Sequence, residues 1–223
     1  MSSSRSMSIA VLIALAAVAA PAQAAVLITE AMSSSGAGGT PDWFELTNNG
    51  GTSVTLTGDK MDDGSNNFAA SVSLLGVAMI GPGESVVFVE TSDPATDIPA
   101  FRSFWGGAGA LAGVQVGSYS GSGVSLASGG DGLVVFDSVG GMVAGPVSFG
   151  AATSGVSFGF NSTTQTFGGL SQAGQFGAFT SADALGNVGS PGAVPEPSTV
   201  ALAGLGALAL LGYGLRRRRD AKL

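Results

Sequence analysis

The sequence predicts an all-β body, a β-sandwich carrying one short helix, with an N-terminal signal helix before it and a C-terminal transmembrane helix after it. Three observations carry this reading. From Ala25 to Ala193, short apolar runs alternate with Gly-rich turns, the pattern of many short strands packed face to face. Glycine occurs 37 times in 223 residues and charged residues make up only 10%, far below the roughly 25% of an ordinary soluble domain. Each terminus places an apolar run beside arginine.

The N-terminal element has Arg5 as its positive region, Ile9 to Ala20 as its apolar stretch, and Ala22-Gln23-Ala24 as a small-x-small site. That is the order of a secretory signal, with cleavage before Ala25. An uncleaved anchor is the alternative, but the apolar stretch falls short of the ~20 residues that cross a bilayer.

In the body, Val26 to Glu30 reads as the first strand. Trp43 to Thr47 is the second, ending at the turn Asn48-Asn49-Gly50-Gly51. Ser53 to Leu56 alternates hydroxyl and apolar residues, as a strand with one wet face does. Ser71 to Leu75 and Val77 to Ile80 are weaker candidates. Ser85 to Glu90 is the strongest strand and Gly132 to Asp137 its twin. Met142 to Phe149 and Val156 to Phe160 bring the total to about eight or nine. The segment "IPAFRSFWGG" breaks the pattern. Ile98, Phe101 and Trp105 stand at helical spacing, with Gly106-Gly107 as a stop. This predicts a short helix with its aromatic residues in the core; an aromatic ligand platform is the alternative.

At the C-terminus, Val200 to Leu215 is apolar or small throughout. As a helix it would extend about 24 Å, short of the ~30 Å hydrocarbon core. Thr199, Tyr213 and snorkelling arginine stems make up the difference, so residues 199–215 are read as a span. The arginines stay on the cytoplasmic side with residues 220–223, which puts the body outside. Pro195 and Pro197 keep the preceding backbone extended and stop helix propagation. Pro195-Glu196-Pro197, the Gly/Ala/Leu segment and the run Arg216, Arg217, Arg218, Arg219 together resemble the PEP-CTERM sorting signal, over residues 194–219. The resemblance implies that an exosortase in the inner membrane of a Gram-negative, exopolysaccharide-secreting bacterium recognises and cleaves the tail. An ordinary anchor behind a Pro-rich linker is the alternative.

Composition narrows the chemistry. There is no Cys and no His, so disulfides, thiolate sites and the commonest general base and zinc ligand are absent. Between residues 25 and 197 only Lys60 and Arg102 are positive, against 14 acids, a balance of −12. Such a surface repels phosphate backbones, so nucleic acid is not an expected partner.

A second resemblance concerns the body. "VLITEAM", "PDWFELTNNGGTSVTLTGDKMDD" and "IGPGESVVFVE" are similar to the lamin-tail domain, with Glu30, Trp43, Glu45, Leu46, Asn48, Leu56 and Gly58 on the family pattern. "SLASGGDGLVVFDSVGGMV" and "GNVGSPGAV" resemble its late hairpin and closing segment, so the likeness runs over about 26–193. It implies an immunoglobulin-like β-sandwich with a binding or structural duty and no conserved reaction. It also implies that Glu30 and Glu45 serve hydrogen bonds to loop amides. The body is longer than the usual domain, which makes 91–122 an expected insertion.

Residue patterns for chemistry are few. Gly155-Val156-Ser157-Phe158-Gly159 fits the nucleophile elbow, but the chain has no His to act as base. Glu30 and Glu45 could in principle form a glycosidase pair. "TGDKMDDGSNN" gathers Asp59, Asp62, Asp63, Asn66 and Asn67 into an expected Gly-containing loop, a hard-oxygen set suited to Ca²⁺. Lys60 and the turn preferences of Asp and Asn favour a plain turn instead. Asn161-Ser162-Thr163 fits the glycosylation acceptor pattern, idle in a bacterium. Phe-Gly pairs at 149, 158, 167 and 176 recur every nine residues; a β-roll competes with simple hairpin spacing. These observations lead to an exported, non-catalytic structural or adhesive protein of the cell surface or exopolysaccharide matrix, handled by signal peptidase and exosortase. A glycan- or calcium-binding module is the alternative.

Overall fold

A computed structural model describes residues 26–35, 39–182, 186–194 and Gly206. The signal helix, the cleavage residues Ala22, Ala24 and Ala25, the membrane span and the sorting residues Pro195, Glu196, Pro197 and Arg216 to Arg219 lie outside the described residues. Among the described residues, no helix is long and apolar enough to cross a membrane.

The chain runs β1 (Val26–Met32), β2 (Trp43–Asn48), β3 (Val54–Thr55), β4 (Lys60–Asp63), β5 (Val72–Ser73), β6 (Met79–Ile80) and β7 (Ser85–Glu90). Helix α1 (Pro94–Ala110) follows, then β8 (Gln115–Tyr119), β9 (Asp131–Phe136), β10 (Met142–Phe149), β11 (Phe158–Asn161), β12 (Thr166–Leu170), β13 (Phe179–Thr180) and β14 (Val188–Gly189). One sheet has the order β12-β11-β1-β2-β7-β8 and a second the order β10-β9-β4-β5, with two-stranded pairs β13-β14 and β3-β6 beside them. The body is thus the expected β-sandwich.

Side-chain alternation along β2 and β7 divides the core in two. Phe44, Leu46, Val86 and Phe88 point inward and meet Met61, Leu133, Val135 and Phe149 of the second sheet. Trp43, Val87 and Val89 point outward and are covered by Phe101, Trp105 and Leu111 from the α1 region. The first sheet is therefore covered on both faces at β2 and β7, which is why every residue of β2 is buried. Trp43 meets Phe101 and Trp105 edge-on, with ring centroids 5.6 Å apart in each pair. These rings are core, so the ligand-platform alternative fails.

Three elements differ from expectation. Helix α1 passes through Gly106-Gly107 to Ala110 instead of stopping there. Pro94 opens it at a position where no N–H is needed, and Arg102 holds its far end by donating to the Leu111 and Val114 carbonyls at 3.0 and 2.8 Å. Lys60 to Asp63 is a strand, paired with β9 from Lys60↔Phe136 to Asp63↔Leu133. Strand β8 lies parallel to β7, with α1 as the crossover such a pairing requires.

Candidate functional site: a glutamate latch beside a polar cleft

The site begins with an irregularity in β1. Ile28 pairs with Leu46 and Glu30 with Glu45, and the register shifts between them. Thr29 is the extra residue of this bulge, which re-aims the side chains around it. As a result, consecutive Thr29 and Glu30 both serve the outer face, where Thr29 Oγ1 reaches Glu45 Oε1 at 2.6 Å.

Glu30 and Glu45 are direct cross-strand partners, and both are buried. Two like charges placed so would repel strongly, and burial alone disfavours ionisation. Burial raises both carboxyls above the usual range, and the Glu30 charge raises Glu45 further. Hydrogen bonds from Ser157, Ser190 and Ser171 act against burial at Glu30; those from Thr29, Gly192 and Thr47 do so at Glu45.

The pair is covered by the closing segment of the body. Ser190 N–H donates to Glu30 Oε1 at 2.6 Å, and its hydroxyl to Oε2 at 2.9 Å. Gly192 N–H donates to Glu45 Oε2 at 2.5 Å. Ser157 Oγ donates to Glu30 Oε1. Gly189 lies so close beneath that an added Cβ would stand 2.8 Å from the Trp105 ring and 3.0 Å from Glu30 Oε1. The segment 188–192 thereby latches onto β1 and β2 through two carboxyls.

A proton count supports a neutral Glu45. A chain of contacts leads away from Glu45 Oε1: to Thr29 Oγ1 (2.6 Å), from Thr29 to Thr47 (2.8 Å), from Thr47 to Ser85 (2.6 Å) and from Ser85 to the Ala193 carbonyl (3.3 Å). Three hydroxyls own three protons, and a carbonyl only accepts. All four contacts are hydrogen bonds together only when Glu45 carries the fourth proton. Ionised Glu45 would take the Thr29 proton, and the two protons of Thr47 and Ser85 would then serve only two of the three remaining contacts.

Beside the latch opens a cavity of about 360 Å³ whose lining includes Glu45, Thr29 and Ser190, the β11–β12 hairpin residues Phe160, Asn161 and Leu170, and Gln172, Gln175 and Phe176 from the following turn. Among the described residues, no lysine or arginine lines it.

The other sequence candidates resolve as follows. Ser157 is fully buried and committed to Glu30 and to Ser171 at 2.8 Å, so Gly155 to Gly159 is no nucleophile elbow. The oxygens of Glu30 and Glu45 are held by the chain's own donors. The expected calcium loop is split by β4, where cross-strand pairing orders it. Asp62 Oδ2 accepts from Ser65 Oγ at 2.7 Å and Asn67 N–H at 2.6 Å, and Asp63 Oδ1 from Ser65 N–H at 2.8 Å. Asn67 Oδ1 accepts from Ala69 N–H at 3.1 Å, and Asn66 takes a left-handed backbone, φ 49°. Asp59 is buried, and burial and then Asp137 push it up to about 6. Among the described residues, no three Asp or Glu side chains gather as metal ligands. Of the Phe-Gly series, Phe149 and Phe158 stack at 4.9 Å and Phe167 pairs with Phe160 across the antiparallel β11–β12 hairpin. This is hairpin spacing, not a parallel roll.

Sequence reasoning singled out Glu30 and Glu45 but not their partners Thr29, Thr47, Ser85, Ser190 and Gly192, nor the cleft. The closing likeness at "GNVGSPGAV" was the available signal.

Comparison with known proteins adds two matches. The family model of the Lamin Tail Domain covers residues 19–150. That of the PEP-CTERM protein-sorting motif covers residues 193–219. No curated protein and no solved structure matches the chain.

Proposed function

From a chain that belongs to the lamin tail domain family and ends on a PEP-CTERM protein-sorting motif, we propose an exported, non-catalytic structural or adhesive protein of the bacterial cell surface or exopolysaccharide matrix. The motif match is the observation that carries it. Residues 1–24 are the signal peptide, removed by signal peptidase between Ala24 and Ala25. Residues 25–193 are the working body. Residues 194–219 are the sorting signal, spanning the inner membrane at 199–215 with 220–223 behind it in the cytoplasm, until an exosortase cuts at Pro195-Glu196-Pro197. The commitment of Glu30, Glu45 and Ser157 to internal hydrogen bonds supports a scaffold over an enzyme. Intact-mass measurement of the protein recovered from the producing cells tests the processing. A mature form beginning at Ala25 and lacking 198–223 is expected, and one retaining 198–223 overturns it.

A further inference from the structure

The turn after β12 contains a residue that the fold does not need. Ala178 N–H donates to the Gln175 carbonyl at 2.8 Å, while Phe176 and Gly177 have φ of 48° and 83°. Both central residues are thus left-handed, as in the tight turns where Asn-Gly is the favoured pair. A bulky side chain held in that region costs about 1–2 kcal/mol, and residues so held concentrate at ligand clamps and similar sites. The Phe176 ring is not repaid by burial, since it is 52% exposed. It stands at the rim of the cleft beside Glu45.

The rest of the rim complements it. Asn161 Oδ1 accepts from the Thr163 and Thr164 N–H groups, which leaves its amide nitrogen to donate. Gln175 Nε2 donates to Gln172 Oε1 at 3.0 Å, which leaves the Gln172 nitrogen as a donor and the Gln175 oxygen as an acceptor. Such an array suits vicinal hydroxyls, each both donor and acceptor. The exposed ring suits the apolar C–H face of a sugar. Among the described residues, no cation is in the lining, so an anion would find no counter-charge there, and Glu45 is the only acid, too few for a metal ion. The volume lies at the small end of the ~300–1,000 Å³ range of small-molecule sites.

We propose that the cleft between the β11–β12 hairpin and the Gln172–Ala178 turn binds a neutral carbohydrate of mono- or disaccharide size, with Phe176 as the stacking platform and Gln172 and Gln175 as hydroxyl readers. The proposal stands apart from the processing of the tail, because its test does not depend on where the chain ends.

The test uses the full chain in a zwitterionic, sugar-free detergent. Glucose, galactose, mannose, maltose and cellobiose are titrated by calorimetry and saturation-transfer NMR, with galacturonate as the anionic control. At least one neutral sugar should bind saturably and more tightly than galacturonate. Phe176→Asn should raise the melting temperature, because Asn accepts the left-handed backbone, while weakening that sugar's binding at least about tenfold. Gln172→Ala should weaken binding with the melting temperature unchanged. Saturable binding of none of the neutral sugars overturns the proposal. So does tighter binding of galacturonate, or an undiminished affinity in Phe176→Asn.

Discussion

Replacing Glu45 by Gln tests the latch at its centre. The unfolded chain releases a glutamate proton near 4.5, and the folded pair holds its protons to higher pH. Between those values the native state binds more protons than the unfolded chain, so stability falls as pH rises. The contribution is fully present below about 4.5 and is lost as pH climbs through the folded value. A tenfold change in proton affinity is worth about 1.4 kcal/mol, so the rise of Glu30 from 4.5 to about 7 corresponds to roughly 3 kcal/mol lost as pH climbs, and Glu45 adds to the fall in the same direction. Asp42, pushed up to about 7 by burial and then Glu90, and Asp59 act in the same direction. The partial exposure of Asp42 to solvent reduces its share. Gln reproduces the protonated acid: its amide nitrogen donates to Thr29 and its oxygen accepts from Gly192. Glu45→Gln should therefore be near neutral at pH 5 and should flatten the fall toward pH 8. Urea unfolding followed by tryptophan fluorescence measures this directly, because Trp43 and Trp105, the only tryptophans in the chain, are both buried. Wild-type stability that rises from pH 5 to 8, or a Glu45→Gln curve parallel to wild type, would refute the reasoning.

Three further outcomes are expected. Ser157→Ala removes a buried donor from Glu30 and should cost about 1–3 kcal/mol, read by the same urea titration. Gly189→Ala forces a Cβ to 2.8 Å from Trp105 and should cost about 1–3 kcal/mol; amide exchange should accelerate along 188–192 before it does in β2. Asp62→Ala leaves Ser65 and Asn67 without their acceptor and should lower stability by ~1 kcal/mol. A plain turn predicts an equal loss in millimolar calcium and in chelator; a calcium-dependent melting temperature in wild type that Asp62→Ala abolishes would favour the metal reading instead.

Legibility followed how a strand earns its burial. Ser85 to Glu90 and Met142 to Phe149 carry enough apolar and β-branched residues to announce themselves, and their expected limits match β7 and β10. Lys60-Met61-Asp62-Asp63 has one apolar residue in four, so it reads as a loop; pairing with β9 makes it a strand. Gln115 to Tyr119 was missed for the same reason, its order coming from the parallel partner β7 across an intervening helix. Gly106-Gly107 is a fair stop signal by propensity alone; packing of Trp105 on Trp43 and the Arg102 bonds to the carbonyls beyond override it. The four Phe-Gly pairs look equivalent in the sequence. Three belong to strands and the fourth to a left-handed turn, a difference that lies in φ and cannot be read from composition. Glu30 and Glu45 were visible as acids on neighbouring strands, but their latch depends on a segment 160 residues from Glu30, beyond the reach of any local pattern.

That separation bears on when the body becomes whole. An exported chain emerges with Glu30 and Glu45 early and Ser190 and Gly192 last, only a few residues before the sorting tail. Until then the paired acids have no lid, and the distant contact that closes them is the slowest kind to form. The domain therefore finishes folding only when nearly all of it has crossed. A truncated or stalled chain is left with two open, wettable carboxylates in the middle of its main sheet. Completion of the fold waits on the last residues before the sorting motif.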